Sequence, residues 1–257
     1  MYEKLAFVYD YFVNWKSRLA FEMPFLLEQL GSLREDRGAV RVLDTACGTG
    51  QHAIALAEAG FEVTGTDLVP QMVMMAKANA EAAGQRVRFR TAGFGAIATA
   101  FGEAEQFEAV LCLGNSLPHV QSRQELTLAL EDFAKALVPG GLLLLQMRNF
   151  DMVTRTRNRW MEPQSVTGNG IEHLFLRFYD FEPNGMIQFN ILSMNRKGSA
   201  PWQIEQTATM LLPILSEDLL GLLEHDFEQI QCFGSMKPEA YDAEKSGDFI
   251  VSARRKS

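Results

Sequence analysis

The feature that most constrains this chain is the run VLDTACGTG at residues 42–50, which separates an apolar segment from a helix-like segment. The apolar segment predicts a buried strand, and the spacing of apolar residues after residue 50 predicts a helix. Gly48 and Gly50 allow the backbone to turn tightly and to approach a ligand, and the helix directs its free N–H groups at the same point. This order of strand, glycine turn and helix predicts an α/β fold with a ligand site after the first strand.

Two acidic residues near this turn indicate the kind of ligand. Asp67 follows a second apolar run, and an acid at that place can accept two hydrogen bonds from a ribose 2′,3′-diol. Asp44 would place a negative charge beside the pyrophosphate of a dinucleotide, whereas a cofactor with a cationic end suits it. S-adenosylmethionine has a sulfonium, an ammonium and no phosphate. The residues therefore favour S-adenosylmethionine over a nicotinamide dinucleotide.

Strands and helices alternate over the following residues. Pro70 starts a helical segment that Gly84 ends, and Ser122 with Glu125 forms a capping box for another helix. Such alternation favours a parallel sheet with right-handed crossovers. Further strands are predicted at 87–91, 107–113 and 142–147, the last of them after a turn at 139–141.

The pattern changes after residue 150. Two alternating segments around Asn184 and Gly185 predict a hairpin. A third antiparallel strand is predicted at 203–212, and closing strands at 227–233 and 249–253. We expect one α/β domain with a Rossmann-like, doubly wound, mostly parallel sheet, an appended antiparallel β segment and an N-terminal helical cap. The expected divisions are a cap over 1–38, a cofactor-binding core over 39–150, a substrate-side β insertion over 151–215 and closing strands over 216–257.

Composition and charge limit the kinds of partner that the chain is expected to bind. The formal net charge of −8 and the pI near 5.1 argue against nucleic-acid binding, and the basic group at 254–256 is expected to be a solvated tail. No apolar run approaches the ~20 residues of a membrane span, and the first residues lack the pattern of a secretory signal. Cys47, Cys112 and Cys232 fit no zinc spacing. We therefore expect a cytoplasmic protein without metal, disulfide, membrane or nucleic-acid partner, and the sequence leaves a homo-oligomer open.

The segment 40–147 resembles the class I S-adenosylmethionine-dependent methyltransferases, whose first motif is an acid, a small residue and Cys-Gly-Thr-Gly or close to it. The resemblance implies that Asp44 lies by the methionine end of the cofactor, that the two glycines border it and that Asp67 binds the ribose. Many members have an Asp where Gly93 stands, which binds the adenine amino group. This chain lacks that acid, so we expect Phe94 and neighbouring backbone to hold the ring.

Four shorter segments resemble glycine N-methyltransferase and the glycine/sarcosine methyltransferases. They are YDYFV at 9–13 with Arg18 after it, CLGNSLPH at 112–119, PGGLL at 139–143 and RNFD at 148–151. The resemblance fades after residue 152. It implies that Arg18 meets the cofactor carboxylate, that Arg148 clamps a substrate carboxylate and that Asn115 helps to place the amino acid. The expected acceptor-side residues are Asn115, His119, Arg148 and Tyr9, and the expected cofactor-binding residues are Arg18, Asp44, Ala46, Gly48, Gly50, Asp67, Leu68, Phe94 and Leu113.

The acceptor-side residues could also have purely structural roles. An ion pair with Asp151 or a nearby Glu accounts for Arg148 almost as well as a clamp does. Asn115 and His119 could serve only the loop backbone, and packing alone could account for Tyr9.

The expected function is methyl transfer from S-adenosylmethionine to a small molecule, with S-adenosylhomocysteine as product. The leading acceptor class is a glycine-like or other carboxylate-bearing amine, which would be methylated on nitrogen. The main alternative is another small acceptor such as an amino sugar, a phenol or a natural-product amine. A nicotinamide-dependent oxidoreductase and a non-catalytic cofactor-binding module are the remaining alternatives.

Overall fold

The computed structural model describes residues 13–37, 40–102 and 105–257. Within these residues, no helix is long and apolar enough to cross a membrane. The helices are α1 Trp15–Arg37, α2 Gln51–Glu58, α3 Pro70–Ala82, α4 Ile97–Phe101, α5 Arg123–Ala136, α6 Phe150–Thr156 and α7 Ser216–Leu223. The strands are β1 Arg41–Thr45, β2 Glu62–Asp67, β3 Arg88–Thr91, β4 Phe107–Cys112, β5 Leu137–Arg148, β6 Gln164–Gly168, β7 Ile171–Phe181, β8 Ile187–Lys197, β9 Gln203–Leu211, β10 Phe227–Ser235, β11 Lys237–Ala240 and β12 Asp248–Arg255.

The larger sheet has eight strands in the order β11-β10-β12-β5-β4-β1-β2-β3. Strand β1 pairs in parallel with β2 and β4, and parallel pairing continues to β3 on one side and to β5 on the other. Strand β12 runs antiparallel between β5 and β10. The predicted Rossmann-like, mostly parallel sheet is confirmed. The parallel strands end at a common edge, which is where open α/β sheets bind ligands.

The central strands pack into two separate cores, because successive side chains of a strand point to opposite faces. Leu143 and Leu145 of β5 pack with α5 and α7 on one face, whereas Leu142 and Leu144 pack with α1, α2 and α3 on the other. All four leucines are buried. Helices therefore cover both faces, as the predicted doubly wound arrangement requires, and α1 confirms the predicted N-terminal helix.

Two predicted helix ends are also confirmed. At the start of α5, the Ser122 hydroxyl oxygen accepts a hydrogen bond of 3.1 Å from the Glu125 N–H. Gly84 follows α3 with a φ of 67°, and its N–H donates to the Glu81 carbonyl at 3.0 Å. A left-handed residue at this place favours glycine.

Residues 164–211 contain the second sheet, which is antiparallel in the order β6-β7-β8-β9. The predicted hairpin at Asn184 and Gly185 joins β7 to β8. Tyr179 and Leu211 of this sheet pack with Phe150 of α6, so the small sheet is attached beside the carboxyl end of β5. Strand β6 was not predicted, because its residues are mostly polar and exposed and show little alternation.

Two predictions about residues in strands β5 and β12 of the larger sheet are wrong. The segment 139–141 does not turn the chain, because β5 begins at Leu137 and passes through it with a shift in its register against β4. A strand can absorb extra residues as a bulge, and Gly140 takes the positive φ of 71° that this requires. Arg254 and Arg255 are not a solvated tail. They belong to β12, and Arg255 donates to the Leu137 carbonyl oxygen.

Candidate active site

A cavity of about 710 Å³ opens at the carboxyl ends of β1, β2 and β4. Its position agrees with the general rule that open α/β sheets bind ligands beyond the carboxyl ends of their strands. The predicted residues that line it are Ala46, Gly48, Asp67, Leu68, Phe94 and His119, and among the other lining residues are Met72, Ile97, Gly114, Glu125, Leu128 and Thr209. The sequence signals were too local to indicate this second group, which comes from five separate segments.

Asp67 holds the loop that forms the cavity floor. Its carboxylate accepts hydrogen bonds of 2.9 Å from the main-chain N–H groups of Gly48 and Val69. Burial raises the pKa of Asp67, and these two hydrogen bonds oppose the increase. A carboxylate has lone pairs for further donors, so Asp67 can also accept from a ribose diol.

Gly50 has a different role from Gly48. Gly50 has a φ of 81° and does not line the cavity. A Cβ atom at this position would lie 2.9 Å from the Ala76 Cβ and 2.9 Å from the Phe89 Cζ. Glycine is therefore required here by packing and by backbone conformation, and the prediction that Gly50 borders the cofactor gains no support from the cavity lining.

Asp44 lies below the loop and is only 2% exposed. Within the described residues, its Oδ2 atom has no hydrogen-bond partner. Burial raises the pKa of Asp44 to about 6, while the charge of His52 opposes the increase and that of Asp67 adds to it. An ammonium group would supply both the missing donor and a compensating charge. This buried oxygen is thus an observation that fits the amino-acid end of S-adenosylmethionine.

Leu68 and Phe94 give part of the cavity lining an apolar surface. Leu68 is 71% exposed although it is a large apolar side chain, and Phe94 packs edge-on against Phe133 at a ring distance of 5.6 Å. These surfaces suit an aromatic base. A Cβ atom on Gly93 would lie 2.9 Å from the Leu68 Cδ1, so an Asp at this position would displace Leu68.

Arg18 of α1 reaches the cavity wall beside Gly114. A Cβ atom on Gly114 would lie 3.4 Å from the Arg18 Nη2. The Nε atom of Arg18 donates to Glu22 at 2.9 Å, and the other Glu22 oxygen lies 2.5 Å from the His52 Nε2. Glu22 and His52 were not identified as site residues in the sequence, although the spacing of Arg18 and Glu22 by four residues is a recognisable helical ion-pair signal.

Arg148 and Asn115 are brought together at the end of β5. The Asn115 side-chain oxygen accepts from the Arg148 main-chain N–H at 2.9 Å, and the Arg148 guanidinium contacts Asp248 at 3.2 Å. The alternative of an ion pair is therefore met, but by Asp248 and not by Asp151 or a nearby Glu, and the Asp151 carboxylate accepts from the Tyr241 hydroxyl at 2.7 Å. Asp248 was missed because it lies 100 residues from Arg148.

Gln146 connects this arginine to the cavity. Its side-chain oxygen accepts from the Gly114 N–H at 2.6 Å, and its side-chain nitrogen donates to Asp248 at 3.1 Å. Arg177 of β7 is near enough to Arg148 to interact with it, since burial and the charge of Arg148 both lower the pKa of Arg177. Leu113 is buried in the core and does not line the cavity, while Tyr9 lies outside the described residues.

Comparisons with known proteins agree with this geometry. Residues 42–141 match a family model described as a methyltransferase domain. A glycine/sarcosine N-methyltransferase from Aphanothece halophytica is 36% identical over 145 residues, which are 56% of this chain and 52% of the relative. One from Halorhodospira halochloris is 27% identical over 252 residues, which are 96% of this chain and 85% of the relative.

The fold comparison extends beyond the matched domain. The structure of CalS10, an amino pentose methyltransferase from Micromonospora echinaspora, has a TM-score of 0.71 at 18% identity and covers 92% of each chain. The chain spans about half the length of several of the curated relatives that it matches. The sheet, the cavity and these matches define an S-adenosylmethionine-dependent methyltransferase fold. The chain has the class I S-adenosylmethionine-dependent methyltransferase fold, and its methyltransferase domain at 42–141 is similar to those of the glycine and glycine/sarcosine N-methyltransferases.

Proposed function

We propose that this chain transfers the methyl group of S-adenosylmethionine to the nitrogen of a small amine that carries a carboxylate. The observation that supports this most is the position of Arg148, whose neighbour Asn115 directly follows the cavity-lining Gly114. A guanidinium fork recognises a carboxylate with two parallel hydrogen bonds. A glycine-like amino acid is the leading acceptor.

Different residues are assigned to different parts of the cofactor. Asp67 accepts from the ribose, Asp44 meets the ammonium, Arg18 meets the carboxylate, and Leu68 and Phe94 cover the base. When bound, S-adenosylmethionine supplies a methyl group on a sulfonium, which is already an excellent leaving group. The protein therefore contributes mainly orientation and exclusion of water, by holding the amine with its lone pair directed at the methyl carbon.

His119 is assigned to the cavity wall and not to proton removal. Burial lowers the pKa of His119 to about 4, so the imidazole is neutral near pH 7 and is a weak base. The acceptor amine accordingly has to reach the site unprotonated.

A second arginine near Arg148 supports an anionic acceptor. Asp248 forms an ion pair with Arg148, and Arg177 adds a second guanidinium in the same region. Each guanidinium can form charged hydrogen bonds with a carboxylate, so the pair favours an acceptor that carries one. We assign the small sheet that carries Arg177, within the divergent region 151–215, to the acceptor side of the domain.

The first experiment measures binding of S-adenosylhomocysteine by calorimetry and then its formation with glycine, sarcosine and dimethylglycine separately. Arg148→Lys should raise the KM for the active acceptor about tenfold or more, because a lysine cannot form the bidentate contact, and should leave the affinity for S-adenosylhomocysteine unchanged. Arg88→Lys is the matched control, since Arg88 forms an ion pair with Glu105 at the amino end of β3. Equal turnover by Arg148→Lys and the parent would exclude the clamp.

An amino sugar is the second candidate acceptor. This candidate is favoured because the fold of this chain is similar to that of the amino pentose methyltransferase over nine-tenths of both chains. This alternative predicts cofactor binding, no turnover of the three amino acids, and turnover of an amino sugar that Arg148→Lys does not change. Binding without turnover of any amine would indicate a cofactor-binding module.

A further inference from the structure

A buried chain of charged side chains connects helix α1 to helix α2. Glu22 of α1 is 7% exposed and His52 of α2 is 6% exposed, and the His52 Nε2 lies 2.5 Å from the Glu22 Oε2. Because a carboxylate only accepts, His52 donates in this contact. The other Glu22 oxygen accepts from the Arg18 Nε at 2.9 Å. Glu22 thus binds Arg18 of its own helix α1 through one oxygen and His52 of α2 through the other.

Glu22 is ionised in this chain. Burial raises its pKa, but the hydrogen bond from His52 and the charge of Arg18 outweigh burial, so that the pKa of Glu22 lies below its usual value. Taking a carboxylate out of water is costly unless its partners are well placed, and removing one partner of such a pair is strongly destabilising. The two oxygens therefore fix the directions of both Arg18 and His52.

The same turn of α2 also holds Asp44. The Ala53 main-chain N–H, directly after His52, donates to the Asp44 carboxylate. Arg18 uses its Nε for Glu22 and presents its Nη2 near Gly114 at the cavity wall. A guanidinium at the wall and a buried carboxylate beneath the floor are thus both attached to one helix start. This is the charge pattern that recognises an amino-acid zwitterion.

We propose that Glu22 and His52 are positioning residues, which hold Arg18 and Asp44 at the spacing required by the carboxylate and ammonium of the cofactor. The inference rests on the proposed use of S-adenosylmethionine. Trp15 packs edge-on against His52 at a ring distance of 5.5 Å, and the Arg18 guanidinium lies over the Trp15 ring at 5.1 Å. One aromatic side chain therefore covers both partners of Glu22. The network acts through the fixed orientation of Arg18, and neither Glu22 nor His52 has to touch the ligand.

The test compares two ligands that differ only at the amino-acid end. Calorimetry of the full chain measures the affinities for S-adenosylhomocysteine and for 5′-methylthioadenosine, which lacks the amino-acid group. Glu22→Gln and His52→Asn should each weaken S-adenosylhomocysteine about tenfold, the size expected for a charged hydrogen bond, and leave 5′-methylthioadenosine unchanged. The double variant should lose less than the sum of the two, because the residues act as one unit.

The matched control is Glu131→Gln, which makes the same change in an exposed ion pair with Lys135 four residues on. It should change neither affinity. Equal weakening of both ligands by Glu22→Gln, or no weakening, would overturn the positioning role alone. A parent protein that binds neither ligand would overturn the proposed function as well.

A measurement on the unmodified protein keeps the test valid if a variant fails to fold. The proton on the His52 Nε2 lies in a short contact with Glu22, and its proton resonance should move when S-adenosylhomocysteine binds. The same resonance should not move with 5′-methylthioadenosine. An identical response to the two ligands would contradict the inference.

Discussion

The Asp67 carboxylate accepts a hydrogen bond of 2.9 Å from the main-chain N–H of Gly48, and so ties the end of β2 to the loop after β1. One side chain therefore shapes the loop and, in the proposed function, also binds the ribose. Burial raises the pKa of this carboxyl, and the main-chain N–H groups limit the increase. The loop and the ligand contact cannot be changed independently at this position.

Asp67→Asn should weaken S-adenosylhomocysteine about tenfold and lower the free energy of unfolding by about 1–2 kcal/mol, because an amide nitrogen would replace one accepting oxygen. Calorimetry and urea denaturation measure the two effects. Glu108→Gln is the control, since Glu108 accepts from the Arg41 main-chain N–H at 2.7 Å at the amino ends of the strands. That variant should lose stability and keep its affinity. A normal affinity in Asp67→Asn would contradict the ribose assignment.

The raised pKa of Asp44 predicts a pH-dependent difference in stability between the parent and Asp44→Asn. Burial raises the folded pKa of Asp44 to about 6 from an ordinary value of 3.8, so the folded state carries a cost of ionisation that is absent below pH 4 and complete above pH 6. The stability of Asp44→Asn relative to the parent should therefore rise by about 2 kcal/mol between pH 4 and pH 7. Any fixed cost of the new amide does not depend on pH.

The same titration should affect the ligand in the opposite sense. An ammonium binds the ionised carboxylate, so the affinity of the parent for S-adenosylhomocysteine should fall as the pH falls below 6. Urea denaturation and calorimetry over this range measure both effects, and His52, Asp67 and Arg18 are the charged groups that act on Asp44. A stability difference that is constant with pH would show that Asp44 is not titrating in this window.

Arg177 should matter for the acceptor and little for folding. Arg177→Met removes a guanidinium whose pKa is lowered by burial and by the charge of Arg148. The free energy of unfolding should therefore change by less than about 1 kcal/mol or increase. The KM for a carboxylate acceptor should increase about tenfold, while the affinity for S-adenosylhomocysteine should not change. Steady-state kinetics and thermal denaturation test this. An unchanged KM would remove Arg177 from the acceptor side.

Gly50 and Gly84 provide a matched pair for backbone strain. Both have positive φ, 81° and 67°, but only at Gly50 would a Cβ atom meet neighbours within 4 Å. Gly84→Ala should cost about 1 kcal/mol through its conformation, and Gly50→Ala about 3 kcal/mol or more because Ala76 and Phe89 also have to move. Equal losses in thermal denaturation would show that packing at Gly50 is not limiting.

The sequence predicted the features whose signals are local. The strand, turn and helix around Gly48, the capping box at Ser122 and the hairpin at Asn184 each depend on residues a few positions apart, and their physical rules apply whatever the rest of the chain does. The doubly wound sheet follows because alternating strands and helices have few ways to bury their apolar faces.

The features that the sequence did not predict depend on distant residues. Asp248 reaches Arg148 only because β12 is inserted beside β5, and His52 meets Glu22 only because α1 lies against α2. No spacing rule connects such pairs. The bulge at 139–141 is a different case, because Pro-Gly-Gly is compatible both with a turn and with an irregular strand.

The place of β12 in the sheet has a consequence for synthesis on the ribosome. Strands β1 to β5 can pair as they emerge, but the outer edge of β5 stays open until residues 248–255 follow. At ordinary translation rates the intervening 100 residues take roughly 5–20 s. For that time the nascent chain presents a long apolar strand edge that can pair with another chain, and the elongation rate and chaperone supply should therefore set the soluble yield.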